Sequence, residues 1–496
     1  MVFLHANFAK GERDVAERML QFVSLPQEMP DKRAAAERRQ DFGEIYRAFA
    51  VERAEQQASR CSQCGVPFCS VHCPLGNNIP DWLKLTAENR LEEAYQISSA
   101  TNTFPEICGR ICPQDRLCEG NCVIEKGFES VTIGAVEKFI TETAFEKGWV
   151  QPRKPMRELP QSVGIVGAGP AGLAAAEQLR ALGYQVHVYD RHDRIGGLMV
   201  YGIPSFKLEK HVLDRRHELM EEQGIVFHLS TPVGDGEGAV SLDTLRQKHE
   251  TVFLATGVYR SREVQVPGAG LGGIVQAIDF LTASNKRGYH EDPGEEDAHL
   301  HARDKRVVVI GGGDTAMDCV RTSIRQGAKS VTCLYRRDRV NMPGSLQEVA
   351  NAEEEGVEFA WLAAPEAFLG DGNVNGVRAL KMRLSLPDAT GRQSVEIVPE
   401  SSFVLEADLV VKALGFDPEN LPEQWGQPDL AVTKWGTLKV RPGAFETSLP
   451  GVFAGGDIVR GASLVVWAIR DGREAAAEMH QWMKAKTKAE QAVAAE

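Results

Sequence analysis

The sequence predicts a mixed α/β protein in which a helical N-terminal domain precedes a region of parallel sheet. Residues 162–189 and 306–335 each follow the pattern of strand, glycine-rich turn, helix and strand that is typical of a βαβ unit. Upstream, residues 34–54 and 79–98 mix charged and apolar positions at helical spacing. Eight of the ten cysteines lie between Cys61 and Cys122, within this helical region.

Composition places the chain among ordinary globular proteins. Its 496 residues are enough for about three domains. With 56 Lys+Arg against 69 Asp+Glu the net charge is −13, and an acidic surface repels nucleic acid and anionic lipid. The apolar run Val2–Leu4 is too short for a secretory signal, and no stretch reaches the ~20 apolar residues of a membrane span. We expect a cytoplasmic protein that binds neither nucleic acid nor membrane.

Linker composition predicts where the domains meet. The segment Gln151–Pro160 is rich in proline and charge, and a strand pattern follows it at once. Residues 285–305 are polar and predict a surface loop between the two βαβ units. Two further runs, 252–257 and 409–415, each end an apolar strand with a glycine. They predict paired connections between two nucleotide-binding domains.

The first glycine-rich turn, Gly167–Gly172, has the form G-x-G-x-x-G, and Asp190 ends the strand that follows. The glycines permit a tight turn and bring a pyrophosphate close to the positive N-terminus of the helix. An acidic residue at the end of the next strand accepts hydrogen bonds from ribose hydroxyls. This unit therefore predicts a dinucleotide site.

The second turn, Gly311–Ala316, has the form G-x-G-x-x-A, and the strand after it ends in Tyr335-Arg336-Arg337 instead of an acid. Two guanidinium groups suit a 2′-phosphate through charge-assisted, bidentate hydrogen bonds. We interpret this unit as an NADPH site. In the alternative, Arg336 and Arg337 are solvated surface charges, and Arg339 could take the role of either.

A third motif, Val452–Asp457, predicts a strand that delivers Asp457 to the N-terminus of a following helix. An aspartate there can bond ribityl hydroxyls, and the helix terminus stabilises negative charge on a reduced flavin. Together with the first glycine-rich turn, the motif indicates FAD.

The cysteines fall into groups with spacing C-x2-C-x4-C-x3-C-P, C-x3-C-P and C-x3-C. Eight soft ligands could bind two [4Fe–4S] clusters or several zinc ions. Zinc ribbons usually pair one C-x2-C with another, whereas closely spaced cysteines followed by one before proline resemble ferredoxins. Iron–sulfur ligation is favoured, and a zinc-bound scaffold without catalysis is the rival hypothesis.

These motifs, together with Ile195–Pro204, resemble the small (β) subunit of bacterial NADPH-dependent glutamate synthase over essentially the whole chain. The resemblance implies an N-terminal all-α iron–sulfur domain over residues 1–155. It also implies two Rossmann-like dinucleotide-binding domains of the two-dinucleotide flavoprotein type. The FAD domain would span residues 156–284 and 421–496, interrupted by an NADPH domain at 285–420.

The resemblance also implies a ligand set for two [4Fe–4S] clusters. One cluster would use Cys61, Cys64, Cys69 and Cys122, and the other Cys73, Cys112, Cys118 and Glu137. Related iron–sulfur domains have one non-cysteine ligand at the position of Glu137. Cys108 would then be a spare thiol; in the alternative, Glu137 is a solvated residue of an amphipathic helix and Cys108 is the eighth ligand.

The residues expected to contact FAD or NADPH are Gly167, Gly169, Pro170, Ala171, Gly172, Asp190, Arg191, Gly197, Leu198, Gly202, Ile203, Pro204, Thr256, Gly257, Gly311, Gly313, Asp314, Thr315, Ala316, Arg336, Arg337, Gly415, Gly456, Asp457 and Leu464. We name no side chain as an acid or base, because hydride transfer between bound cofactors depends on positioning and electrostatics.

The function implied by the resemblance is electron input. The chain would oxidise NADPH at FAD and pass electrons through the clusters to a large (α) subunit in a hetero-oligomer. That subunit would bind FMN and another iron–sulfur cluster, carry the glutaminase activity, and make L-glutamate from L-glutamine and 2-oxoglutarate. The alternative is a flavin and iron–sulfur oxidoreductase that stands alone or feeds ferredoxin or another partner.

Overall fold

The computed structural model describes residues 19–289, 291, 295–388 and 393–494, which form two compact units. The first unit comprises the described residues up to Lys32 together with Tyr46–Gln151, and the second comprises Arg33–Ile45 and the residues from Pro152 onward. The expectations for residues 1–18 and 495–496, and part of the expected loop at 285–305, lie outside the described residues. Among the described helices, none combines the length and apolarity required to span a membrane.

The first unit is built from helices, as the sequence predicts. The helix expected over residues 34–54 is wrong in part, because only Ala35–Arg38 and the helix that starts at Val51 form there, and residues 33–45 belong to the second unit. The helices of the first unit surround a core that includes the fully buried Trp82 and Ile140. Prolines occupy the first turns of two helices, where a backbone N–H is not needed. The helices span Val51–Ser59, Phe68–His72, Ile79–Ala87, Leu91–Thr101, Pro105–Ile111, Glu125–Phe128 and Ile133–Glu146, after a 3-10 turn at Gln21–Val23.

The second unit contains two five-stranded parallel sheets, each of which includes one of the predicted βαβ units. The strands of the first sheet lie in the order Val452–Ala454, Thr251–Leu254, Ser162–Val166, Gln185–Tyr189 and Val226–His228. The strands of the second lie in the order Ile274–Gln276, Leu409–Lys412, Arg306–Ile310, Ser330–Tyr335 and Glu358–Trp361. The mixed α/β class is thus confirmed.

An antiparallel sheet is inserted in the chain between Glu358–Trp361 and Leu409–Lys412, two strands of the second parallel sheet. Its strands are Ala363–Asp371, Asn373–Leu384, Val395–Ile397 and Phe403–Glu406. The helices of the second unit are Ala35–Arg38, Pro170–Ala181, Leu198–Tyr201, His211–Glu222, Leu242–Lys248, Ala277–Gly288, Asp314–Arg325, Leu346–Glu354, Leu421–Gln424, Asp457–Arg460 and Val465–Ala494, with a 3-10 turn at Glu295–Leu300.

Two short strands join the connections between the parallel sheets. Arg260–Ser261 pairs in antiparallel fashion with Phe416–Asp417, directly after the strands that end at Gly257 and Gly415. Arg262 donates its backbone N–H to the carbonyl of Gly415 at 3.0 Å. The two glycine-terminated runs are therefore paired, as expected from their similar patterns.

Two boundaries differ from those expected from linker composition. The strand Ile274–Gln276 pairs with Leu409–Lys412, so the second sheet begins in the chain before residue 285. A three-residue strand offers too short a pattern to be recognised. Residues 33–45 pack with the second unit although residues on both sides of them belong to the first.

Candidate cofactor-binding sites

The first glycine-rich turn leaves an open cradle at the start of the helix Pro170–Ala181. Gly167 has φ +109°, and a Cβ there would lie 2.3 Å from the carbonyl oxygen of Ala255. Gly172 packs the helix onto the turn, since a Cβ would lie 1.9 Å from the oxygen of Gly167. A Cβ on Gly169, by contrast, would meet no atom within 4 Å. Space is therefore reserved where a pyrophosphate would approach the helix terminus.

Asp190 is buried at the end of the second strand, where the sequence places it. One carboxylate oxygen accepts from the backbone N–H of Ala168 at 2.7 Å. The other accepts from the backbone N–H of His192 at 2.8 Å and contacts its Nδ1 at 2.9 Å. The carboxylate thus holds the glycine-rich turn in addition to facing the cavities beside it.

Two adjoining cavities, of about 250 and 100 Å³, run along the carboxyl ends of the first sheet. Both are lined by Gly167, Asp190, Thr256 and Tyr259, so they form one elongated cleft. Twelve of the expected FAD contacts line the smaller cavity: Gly167, Gly169, Pro170, Ala171, Asp190, Gly197, Leu198, Thr256, Gly257, Gly456, Asp457 and Leu464. An elongated, glycine-lined cleft at this edge of a parallel sheet fits a dinucleotide.

Polar groups in the cleft are placed for a ligand. The hydroxyl oxygen of Thr256 is buried and has no hydrogen-bond partner among the described residues. Asp457 begins the helix Asp457–Arg460, and burial raises the pKa of its carboxyl to about 6. Asp471 accepts from the backbone N–H of Gly456 at 3.1 Å and so fixes the preceding turn. These positions fit the ribityl chain that the motif predicts.

Four of the residues expected to contact FAD do not line either cavity. Gly172 packs the helix against Gly167. Gly202, Ile203 and Pro204 form the turn after the helix Leu198–Tyr201, and Ile203 donates its N–H to the carbonyl of Leu198 at 2.9 Å. Their effect on the cleft is through the helix that carries Leu198.

The larger cavity is lined mostly by residues that the sequence does not single out. They come from the loop Thr231–Glu237, from the segment around Trp425, and from Tyr259. Arg191 lies over the ring of Tyr259 at 4.6 Å and forms an ion pair of 3.0 Å with Glu419. Of these residues only Tyr259 follows a recognised motif, two positions after Gly257.

The second glycine-rich turn repeats the geometry of the first. Gly311 has φ +148°, and a Cβ there would lie 2.2 Å from the oxygen of Ala413. Gly312 lies against the ring of Tyr335, 2.3 Å from the position of a Cβ. Gly313 precedes the helix Asp314–Arg325, and a Cβ on it would meet no atom within 4 Å. The open position again lies at the N-terminus of the helix.

The remaining residues of the second site lie around this helix start. Asp314 accepts from the backbone N–H of Ser345 at 2.9 Å, Thr315 is half-buried, and Ala316 is buried. Gly415 is in the paired connection, with φ +90°.

The three arginines after the strand differ in their surroundings. Arg336 is exposed. Arg337 is half-buried: it donates to the carbonyl of Gln393 at 3.2 Å, and its Nε is buried with no partner among the described residues. Arg339 is paired with Glu353 at 2.7 Å. Arg339 thus already has an exposed ion-pair partner, and the role of Arg336 and Arg337 at a 2′-phosphate stays a prediction.

In the first unit, the thiols of Cys61, Cys64, Cys69 and Cys122 act on one another electrostatically. Burial, with smaller contributions from the charges of Cys122 and Cys64, raises the pKa of Cys61 to about 11. Burial likewise raises the pKa of Cys69 to about 12, with added effects of Cys61 and Cys122. These effects link Cys61 to Cys64, Cys69 and Cys122, and the assignment of the four to one cluster stays a prediction.

Cys73, Cys112, Cys118 and Glu137 form a second group. Burial raises the pKa of Cys73 and of Cys118, and the charge of Glu137 acts on both. A hydrogen bond with Cys108 is the main cause that raises the pKa of Cys112, and Glu137 contributes there too. Cys108 itself is buried and lies 3.7 Å from the amide oxygen of Asn102.

Glu137 is a buried carboxylate, not a solvated one. Its Oε1 accepts from Asn77 at 3.1 Å, from Asn102 at 3.2 Å and from Ser98 at 3.5 Å. Burial raises the pKa of Glu137 to about 7. The interpretation of this residue as a solvated glutamate is wrong, because the helix Ile133–Glu146 turns this position inward.

Donors around the thiols suit anionic sulfur. Backbone N–H groups of Gln63, Ser70 and Asn77 point to Cys61, Cys69 and Cys73, and each bond lowers the pKa of its thiol. Hydrogen bonds to sulfur are one way in which proteins tune iron–sulfur clusters. All ten cysteines are free. Within the described residues, no three His, Cys, Asp or Glu side chains are grouped as a site for a single metal ion.

Comparison with known proteins matches two families to successive parts of the chain. Residues 38–149 match the family described as dihydropyrimidine dehydrogenase domain II, 4Fe-4S cluster. Residues 161–472 match the family described as pyridine nucleotide-disulphide oxidoreductase. A solved structure of Mycobacterium tuberculosis FprA in complex with NADPH is similar with TM-score 0.56 and 20% identity, over 67% of this chain and 86% of that chain. That likeness shows the shared fold.

Two curated relatives cover nearly the whole chain. The putative oxidoreductase AegA of Escherichia coli (strain K12) is 44% identical over 97% of this chain and 74% of its own length. The glutamate synthase (NADPH) small chain of Azospirillum brasilense is 64% identical over 97% of this chain and 99% of its own length. The chain therefore belongs to the family of glutamate synthase (NADPH) small chains.

Proposed function

We propose that this chain is the electron-input subunit of a glutamate synthase. It oxidises NADPH at FAD and passes electrons through two [4Fe–4S] clusters to a large subunit that makes L-glutamate from L-glutamine and 2-oxoglutarate. The observation that carries the proposal is the end-to-end similarity to the Azospirillum brasilense small chain. A small chain implies a large one, and from the family resemblance of the motifs we expect that partner to carry FMN, an iron–sulfur cluster and the glutaminase activity.

The residues of the second unit bind and orient two nucleotides. The cradle at Gly169, the carboxylate of Asp190 and the helix start at Asp457 would hold FAD. The cradle at Gly313 would hold the pyrophosphate of NADPH, with Arg336 and Arg337 on its 2′-phosphate. When bound, a flavin accepts two electrons as hydride and releases them singly, which joins nicotinamide chemistry to iron–sulfur chemistry.

The residues of the first unit would ligate two clusters. Cys61, Cys64, Cys69 and Cys122 would hold one cluster. Cys73, Cys112, Cys118 and Glu137 would hold the other, with Cys108 as a neighbouring thiol. The effects of Cys122 and Cys64 on the pKa of Cys61, and of Glu137 on the pKa values of Cys73 and Cys118, support the ligand set. Cys69 also acts on Cys118, so the allocation between the two clusters rests on the family resemblance.

Spectroscopy of the intact chain tests the cofactors. The protein is purified without oxygen, its iron, sulfide and flavin are measured, and NADPH or NADH is added while the flavin absorbance is followed. We expect one FAD, about eight irons and about eight sulfides per chain, and bleaching by NADPH at far lower concentration than by NADH. A colourless zinc protein would overturn the proposal.

Reconstitution tests the partner. The chain is mixed with a separately purified glutamate synthase large subunit, and NADPH oxidation is measured with glutamine and 2-oxoglutarate together and with each alone. We expect oxidation coupled to glutamate formation only when both substrates and both chains are present. Failure to form a complex would contradict the assignment of the partner.

A second candidate is a flavin and iron–sulfur oxidoreductase with another acceptor. It is favoured by the similarity to AegA, a putative oxidoreductase whose own chain is longer than the matched part. NADPH-dependent reduction of ferredoxin at a rate above that with the large subunit would support this candidate instead.

A further inference from the structure

The segment Leu198–Lys210 lies between the flavin cleft and the second sheet. At one end, Leu198 and Met199 line the smaller cavity. Next to them, the carbonyl of Tyr201 accepts at 3.0 Å from Asn285, on the helix Ala277–Gly288 of the second sheet. The wall of the flavin cleft is therefore attached to the part of the chain that would bind NADPH.

The same segment enters a cluster of buried charges. Lys207 Nζ lies 3.0 Å from Asp318 Oδ1 and 3.6 Å from Glu348 Oε2. The ring of Phe206 is covered by Arg321 and Arg325, whose guanidinium carbons lie 4.5 and 4.0 Å from its centroid. Asp318, Arg321 and Arg325 all belong to the helix Asp314–Arg325, which begins at the second glycine-rich turn.

A third piece of the chain completes this cluster. Arg38, from the segment 33–45, bonds Glu354 at 2.6 Å and lies 3.6 Å from Glu355. Glu355 also forms ion pairs with Arg321 at 2.9 Å and with Arg325 at 2.6 Å. The ring of Phe42 lies 6.4 Å from that of Phe206. Segments distant in sequence thus meet in one network.

Several charged side chains of this network are buried, so they cannot exchange their partners for water. The side chains of Arg38, Arg321 and Glu355 are at most 1% exposed. A buried charge that loses its partner is strongly destabilising, so a shift of the helix that separates these pairs is unfavourable. Because Asp318 lies one turn after Asp314 at the nucleotide cradle, fixing the helix also fixes the cradle.

We propose that Lys207 and Arg38 are positioning residues that hold the second nucleotide cradle in register with the flavin cleft, so that a bound nicotinamide faces its acceptor. This inference rests on the proposed function. Hydride transfer depends steeply on alignment, and a misplacement of about 1 Å can cost about a hundredfold in rate. The buried charges therefore serve the reaction without touching either nucleotide.

The substitution Lys207→Met tests the proposal, because it keeps the length of the side chain and removes its charge. We expect unchanged FAD content and an NADPH dissociation constant within about twofold, but flavin bleaching at saturating NADPH at least about tenfold slower. Lys207→Arg should restore the bleaching rate to within about threefold. Lys486→Met, which removes an ion pair with Glu250 at the long C-terminal helix, is the matched control.

Hydrogen exchange supplies a readout that needs no reaction. In protein without NADPH, Lys207→Met should speed amide exchange in residues 33–45 and 314–325, and leave the helix Pro170–Ala181 unchanged. Lys486→Met should leave all three regions unchanged. A positioning role predicts faster exchange in the segments of the charge network and unchanged exchange in the helix that would bind FAD.

Several results would overturn the inference. One is bleaching by Lys207→Met at the wild-type rate, and another is a slower rate that the loss of FAD or NADPH affinity accounts for completely. If Lys207→Met does not fold, Asp318→Asn is measured in the same way and decides the matter. A wild-type chain that binds both nucleotides but is not bleached by NADPH would refute the proposed function, and this inference with it.

Discussion

Asp190 accepts a hydrogen bond of 2.7 Å from the backbone N–H of Ala168. Asp190 follows the strand Gln185–Tyr189, and Ala168 is in the glycine-rich turn after the neighbouring strand Ser162–Val166, so the carboxylate holds that turn in place. Its other oxygen accepts from His192. The two contacts make the carboxylate part of the framework of the cleft as well as a candidate for ribose recognition.

Asp190→Ala should therefore lower the affinity for FAD by more than the loss of a single hydrogen bond to the ligand would. Hydrogen bonds to a charged group contribute about 1.5–3 kcal/mol each, so we expect affinity for FAD to fall at least about tenfold. Titration of the flavin-free protein with FAD measures it. Asp243→Ala, at a surface ion pair with Arg246, is the control. Equal affinity in both variants would contradict a role for Asp190.

Two adjacent glycines of the second turn should respond differently to alanine. Gly313→Ala places a methyl group in open space, so thermal stability should be retained while the Michaelis constant for NADPH rises about tenfold or more. Gly312→Ala places the methyl against the ring of Tyr335 and should lower the melting temperature, because overpacking costs about 1–3 kcal/mol. If Gly313→Ala leaves NADPH kinetics unchanged, the cradle is not the pyrophosphate site.

His249 should make the second unit sensitive to mild acid. Its ring contacts Ser162 and Tyr189 at 2.9 and 3.0 Å. Burial, together with the charges of His187, Lys248 and His228, lowers the pKa of His249 to about 4. Since an unfolded histidine titrates near 6.5, the unfolded chain binds this proton first, and stability is lost as pH falls from about 6.5 towards 4.

The melting temperature of His249→Gln, measured between pH 7.5 and 4.5, tests this coupling. The wild-type melting temperature should fall more steeply with pH than that of the variant, because its free energy of unfolding decreases by up to about 1.4 kcal/mol more per pH unit. The difference between the two curves removes the contribution of other groups. Parallel curves would show that His249 does not titrate in this range on unfolding.

Glu137 and Cys108 can be separated as the eighth cluster ligand. If Glu137 ligates, Glu137→Ala should lose about half of the iron, since one of two clusters loses a ligand, while Cys108→Ser keeps nearly all of it. Iron analysis and low-temperature electron paramagnetic resonance measure the outcome, with flavin content as the check on folding. The reverse result would assign Cys108.

Local pattern accounts for what the sequence predicts correctly. The two glycine-rich turns, Asp190 and Asp457 are defined by spacing within one strand–turn–helix unit, and the structure places each of them beside a helix start. Loop Thr231–Glu237 and Trp425 reach the cleft only through tertiary packing. No local spacing identifies them.

Arg38 shows the same limit in a stronger form. Its sequence context is a short charged helix that suggests a solvated surface, yet its guanidinium is buried against Glu354, 316 residues further along the chain. Burial of a charge follows from the partner that compensates it, and that partner is fixed by the whole fold.

The passage of residues 33–45 into the second unit means that the polypeptide crosses between the units three times, near residues 32, 45 and 151. Cutting the chain at the proline-rich linker would not yield two self-sufficient pieces. A flavoprotein fragment that starts at residue 152 would lack Arg38, so the ion pair of the buried Arg38 with Glu354 would be lost, while Glu355 would keep Arg321 and Arg325. The smallest autonomous flavoprotein must carry residues 33–45, so recombination of this module with other proteins requires the exchange of both stretches together.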